Sequence, residues 1–198
     1  RLSTGKRINS AADDAAGLTI ATKFDFKAKG LGQVLSNIAD AKSLISVAEG
    51  HLNNINDILT KMKTKATQAA NDTLGADERA AIFDEIKQLN TQIDNEVRQA
   101  QWAGTPLLVG STSTFGCTQT ASQVFHFQVG VGTTTADKME FKIADTVFTS
   151  TASCFNSVSL HVKATASDFN SQAGANDFMK LVDAASLKVS EGLSYIGA

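Results

Sequence analysis

Proline occurs once in 198 residues, at Pro106, and that single placement constrains the fold more than any other feature. Proline ends helices by removing a backbone donor and clashing with the preceding turn, so the long stretches without it are free to stay helical. Hydrophobic spacing then sets the length. Ile20, Phe24, Ala28, Leu31, Leu35, Ile38, Lys42, Ile45, Ala48, Leu52, Ile55, Leu59, Met62, Ala66 and Ala69 follow one another at steps of three or four. This heptad-like seam predicts one long helix that needs a partner. Two threes fall together between Lys42 and Ala48, the mark of a stammer that locally overwinds a coiled coil. Gly30, Gly32 and Gly50 each cost about 1 kcal/mol of helix propensity, so the helix is not expected to stand alone.

Residues 71–75, NDTLG, favour a turn, and Asp77 is placed to cap a second helix. Ile82, Ile86, Leu89, Ile93, Val97 and Ala100 give that helix one apolar stripe, and the pair reads as an antiparallel α-hairpin. After Trp102 the chain turns rich in Gly, Ser and Thr, with period-two alternation over residues 124–129, 139–143 and 157–162, the pattern of short strands. Helical spacing returns with Phe178, Val182, Ala185, Val189, Leu193 and Ile196, whose partner should be the first helix's seam. The predicted fold is mainly α with a small β appendage: an elongated antiparallel helical bundle or coiled-coil rod. Residues 15–103 and 168–198 form the rod, and residues 104–167 a β-rich insertion.

A net charge of -2 and a pI near 5.9 supply no positive field for phosphate backbones or anionic lipid, so neither nucleic acid nor membrane is an expected partner. No catalytic, cofactor-binding or metal-ligating set emerges. His51, His126 and His161 are far apart and lack ligand spacing. Gly130-Val131-Gly132 reads as a hairpin turn, since the helix and third glycine of a dinucleotide loop are missing. Asp13-Asp14 and Asp84-Glu85 are adjacent on helices and point apart. Lys61, Lys63 and Lys65 form a basic cluster. It is either a solvated face with acids on the adjacent helix or a contact surface for a neighbouring molecule. Cys117 and Cys154 are either one optional disulfide or two buried thiols.

Residues 1–21, RLSTGKRINSAADDAAGLTIA, resemble the hallmark segment near the start of bacterial flagellins. LNNINDIL, KATQAAND, then Trp102-Ala103-Gly104, where the family usually reads aromatic-Asn-Gly, and the FQVG strand at residues 127–130 continue in family order. Residues 183–198 are similar to the start of the family's C-terminal helix. The likeness is weakest over residues 111–123 and 144–167.

The resemblance implies a subunit of the extracellular flagellar filament that self-assembles for motility, with an export chaperone and a cap as partners of the full-length protein. Residues 1–14 would be a linker toward inner-tube helices. The ends, RLSTG without Met and SYIGA within a helical pattern, give the expectation of truncation and of a monomer. Export to an oxidising exterior would favour a Cys117–Cys154 bond. A hook–filament junction protein is the near alternative, and a surface binding module on the insertion the distant one. Residues 60–68 read Thr-Lys-Met-Lys-Thr-Lys-Ala-Thr-Gln, where receptor-activating flagellins resemble Gln-Arg-Val-Arg-Glu-Leu-Ala-Val-Gln. Lys61, Lys63, Lys65, Gln68 and the acidic Glu85 are therefore the subunit-contact and receptor-segment candidates. Their exchanges imply weak or no activation of the flagellin-sensing Toll-like receptor, and compensating partners for the lysines on the next subunit.

Overall fold

The structure is a computed structural model that describes residues 14–108, 124–141, 160, 162, 165, 169 and 171–197. In chain order it comprises α1 (Ala15–Ala69), α2 (Ala76–Gln99), β1 (Gln101–Trp102), β2 (Thr105–Pro106), β3 (Phe125–Gln128), β4 (Lys138–Phe141) and α3 (Gln172–Gly197). The mainly helical class with small antiparallel sheets is the one predicted. Contacts gather the chain into two compact units, one of Arg1–Lys42 with His126–Phe141 and one of Ser43–Phe125 with Lys142–Ala198. Cys117 and Cys154 lie outside the described residues, as does most of the predicted strand at 157–162.

In the larger unit Leu44, Leu52, Ile55, Leu59 and Met62 of α1 are buried together with Ile86 and Ile93 of α2 and Phe178 of α3. Each such side chain contributes roughly 1.5–3 kcal/mol relative to exposure, which offsets the glycine cost inside α1. Phe178 meets Phe169 edge to face at 5.3 Å, and Phe169 meets Phe83 at 5.9 Å. On α2 the structure moves one seam position. Leu89 is only half-buried, and Asn90 is 7% exposed with an Oδ1 lacking a hydrogen-bond partner. The N-cap of α2 is Gly75 rather than Asp77, which lies with Glu78 in the first turn, where the helix dipole favours acids. Between the helices Arg79 donates to the carbonyl of Ala69 at 3.2 Å, satisfying a C-terminal acceptor of α1, and to the carbonyl of Asn71 in the connecting turn at 3.1 Å.

The seam from Ala48 to Ala69 is buried as predicted, but upstream it is not. Lys42 is exposed and Ile45 half-buried, while Ala41 and Leu44 are buried. The sheltered line runs through Gly30, Val34, Asn37, Ala41, Leu44 and Ala48 at steps of three and four. No pair of threes remains. The predicted stammer arises from stepping between two neighbouring stripes, one residue and about 100° apart.

β1 and β2 form a two-residue hairpin with Trp102 opposite Thr105 and Gln101 opposite Pro106. Its corner residues, Ala103 and Gly104, have φ of 48° and 80°, the double positive φ of the turn that matches strand twist. In the smaller unit the β3–β4 hairpin is fastened at its connection. Gln128 Nε2 donates to the carbonyls of Gly130 and Gly132 at 2.8 Å each, and Thr134 donates its N–H and hydroxyl to Asp137 Oδ2 at 3.0 and 2.6 Å. The Thr134 hydroxyl and backbone bonds, with a lesser one from the Gly132 backbone, hold the Asp137 carboxyl below its ordinary value against the opposing desolvation. Gly130 and Gly132 pass so close to that carboxylate that neither has room for a Cβ. The hairpin meets α1 where Val131 lies over Gly30 and Asn37 Nδ2 donates to the Gln128 carbonyl at 3.2 Å.

Candidate assembly surface

The lysine segment faces both neighbouring helices of the larger unit. Lys65 pairs with Glu85 of α2 at 2.5 Å, and Lys63 with Asp183 of α3 at 2.6 Å. The helix turn dictates this: on α1 Met62, Ala66 and Ala69 point inward, so positions 63 and 65 fall on opposite rims of that stripe. Both pairs are substantially exposed and therefore worth about 0–1 kcal/mol each. Their carboxylates lie on the adjacent helices of the same chain, the first of the two readings that the sequence leaves open for this cluster. Lys61 and Gln68 are exposed, and no ion pair engages Lys61 among the described residues.

A second polar cluster joins α1 to the last turn of α2. His51 Nδ1 and Asn54 Nδ2 both donate to Glu96 Oε1, at 2.8 and 2.7 Å. Burial pushes the Glu96 carboxyl upward, but the Asn54 and His51 hydrogen bonds and the charge of His51 together outweigh it, and the net shift is down. Ligand spacing in the sequence leaves His51 isolated because its acceptor is 45 residues away. A separation of three between His51 and Asn54 is the sole local hint that both reach one point. His126 sits opposite Glu140 at 3.5 Å, and both are exposed.

In the smaller unit α1 carries a different surface. Ile20, Phe24, Leu31 and Leu35 are 56%, 68%, 52% and 69% exposed, although the sequence pattern marks all four as seam. The hairpin covers the neighbouring stripe at Gly30 and Asn37 and leaves this one open. Among the described residues no group of three or more His, Cys, Asp or Glu could hold a metal ion, and no helix is long and apolar enough to cross a membrane.

Charged rims around the closed helical core of the larger unit and an uncovered apolar helix face in the smaller unit characterise a mainly helical protein. Residues 1–113 match the bacterial flagellin N-terminal helical region, and the chain belongs to that family. It is 31% identical over 198 residues to a flagellin of Halalkalibacterium halodurans, covering 100% of this chain and 65% of that one. To a flagellin of Clostridium tyrobutyricum it is 46% identical over 111 residues, covering 56% of this chain and 29% of that one. The chain thus spans less than two thirds of these relatives. In fold it is similar to the crystal structure of Bacillus cereus flagellin, with a TM-score of 0.59 at 22% identity over 80% of this chain and 79% of that one. A structure described as a flagellar hook-associated protein from Vibrio parahaemolyticus gives 0.73 at 20% identity over 95% and 88%. At such identities the two structures bear on the fold alone.

Proposed function

We propose that this protein is a structural subunit of the bacterial flagellar filament, working outside the cell by self-assembly and not by catalysis. The observation that carries this reading is the open stripe of Ile20, Phe24, Leu31 and Leu35. Contiguous exposed apolar surface of this kind marks a face that is covered in the working assembly, and family membership says which assembly. An export chaperone and a filament cap are the further partners that the reading entails. The test is salt-induced polymerisation of the full-length protein followed by electron microscopy. Long filaments are expected. Short junction-like oligomers would instead favour the hook–filament reading, which rests on fold likeness alone, whereas the FQVG strand and the relative that is 31% identical along the chain favour flagellin.

The same reading includes weak or no activation of the flagellin-sensing Toll-like receptor. Lysine lacks the forked guanidinium geometry of the family's arginines at positions 61 and 63. Lys65, at the family's leucine position, is tied to Glu85, so a receptor would have to break that pair and desolvate both charges. The triple exchange Lys61→Arg, Lys63→Arg and Lys65→Leu is expected to raise activation of reporter cells at least tenfold, since one good interface anchor is worth about 1.4 kcal/mol or more. An unchanged response of the triple variant, or full activation by the wild type, would refute it.

A further inference from the structure

We propose that His51, Asn54 and Glu96 form an acid-sensitive clamp: ionised, Glu96 ties the last turn of α2 to α1, and protonation releases that turn together with the adjoining β1–β2 hairpin. Two donors on consecutive turns of α1 converge on a single oxygen, Oε1, at 2.8 and 2.7 Å. The side chains of His51 and Glu96 are 22% and 18% exposed, so water replaces the His51 contact poorly, whereas Asn54 is exposed and its bond to Glu96 is open to water. An ionised carboxylate only accepts, which places a proton on His51 Nδ1. Charge-assisted bonds to such a group are roughly twice as strong as neutral ones, and protonating Glu96 weakens both at once.

The position gives the loss a consequence. The backbone carbonyl of Glu96 accepts the C-capping N–H of Ala100 at 3.1 Å, and the Ala100 carbonyl accepts from Leu107 at 2.8 Å. Glu96 therefore anchors the segment from which the hairpin departs. The other ionisable side chains in the neighbouring turns of the two helices are Glu49 and Asp57 on α1 and Asp94 and Arg98 on α2; on α3, whose Ser186 bonds Asn56 at 2.9 Å, the turns that follow carry Lys188, Glu191 and Tyr195. Of the whole set, Glu96 is the carboxylate that receives both α1 donors.

The sign is set by the downward shift of Glu96 from 4.5. A carboxylate with a depressed folded pKa stabilises above its unfolded value, and that contribution disappears as pH falls through the folded one. The clamp is closed at neutrality and opens as pH falls through the depressed value of the Glu96 carboxyl. Trp102 is the chain's single tryptophan and lies in β1, six residues beyond Glu96, so it reports the event.

The experiment is a titration from pH 7 to 3 of this chain. Trp102 emission tracks the hairpin, carbon NMR the Glu96 carboxyl, and far-UV circular dichroism the helices. The expected result is a Glu96 titration below the ordinary glutamate range, moved upward in His51→Ala, with a Trp102 transition that accompanies it while helix content persists. Glu96→Gln should lose the Trp102 step, and Asp57→Asn, which removes an exposed carboxylate three residues from Asn54, should keep it. A Glu96 carboxyl titrating at its ordinary value overturns the proposal, as does a Trp102 step retained in Glu96→Gln. The carboxyl measurement in the wild type decides the matter even if a variant fails to fold.

Discussion

Ala103 occupies a left-handed backbone position, φ 48°, that an L-residue other than Gly, Asn or Asp adopts at a cost of roughly 1–2 kcal/mol. Its neighbour Gly104, φ 80°, meets the same demand without a Cβ to strain. Asparagine tolerates the left-handed region better because its side chain bonds the local backbone. It is also the residue that the family resemblance leads one to expect there. Ala103→Asn should therefore raise stability by about 0.5–1 kcal/mol, read as a higher urea midpoint at an unchanged m-value. A lower midpoint would mean that a contact of the Ala103 methyl outweighs backbone strain. Other single residues are illegible in the sequence for a related reason. His51 and Glu96 become one site only through the register of two helices, and periodicity carries no information on which rim groups of a helix pair will meet.

At the scale of elements, the three glycines inside α1 separate two effects that composition alone lumps together. Around Gly32 and Gly50 there is open space, whereas a Cβ at Gly30 would come within 2.7 Å of Val131 Cγ1 in the β3–β4 hairpin. Alanine gains about 1 kcal/mol over glycine in a helix interior, and overpacking costs about 1–3 kcal/mol. Gly50→Ala is thus expected to stabilise by about 1 kcal/mol. Gly30→Ala should be neutral or destabilising by up to about 2 kcal/mol, with faster amide exchange at Val129 and Gly130. Thermal melts of the two variants side by side would check this, and equal gains in both would show that Val131 moves aside freely. The same helix marks the reach of a hydrophobic pattern. Periodicity locates α1, α2 and α3 and the inward face from Ala48 onward, because a single apolar stripe exists there. Upstream two stripes run side by side, and hydrophobicity alone cannot say which one a hairpin ninety residues later will cover. On α2 the adjacent Leu89 and Asn90 pose the same choice. Packing buries the polar residue, a preference that no hydropathy rule anticipates.

For the molecule as a whole, the two units present opposite balances of apolar surface. The larger unit encloses its core among α1, α2 and α3, with Phe178, Leu52, Ile55 and Leu59 each at 1% exposure or less. The smaller unit leaves Phe24 and Leu35 more than two thirds exposed. Large apolar side chains in that state contribute little to the stability of the isolated chain, so replacing them should cost little as well. Phe24→Asp and Leu35→Asp are expected to change its unfolding free energy by no more than about 0.5 kcal/mol each, the usual range for surface exchanges. Assembly is a different matter. Burying an unpaired carboxylate in an apolar contact costs several kcal/mol, and that cost recurs at every subunit of a polymer. In the full-length protein the same two exchanges should abolish filament formation while the subunit stays folded. A larger critical concentration in sedimentation, with unchanged circular dichroism, would be the milder form of the same outcome. Were both variants to polymerise like the wild type, the stripe would be solvent-facing in the filament. Were they instead to unfold the isolated chain, the stripe would belong to its core. Either result would remove the observation on which the filament reading rests.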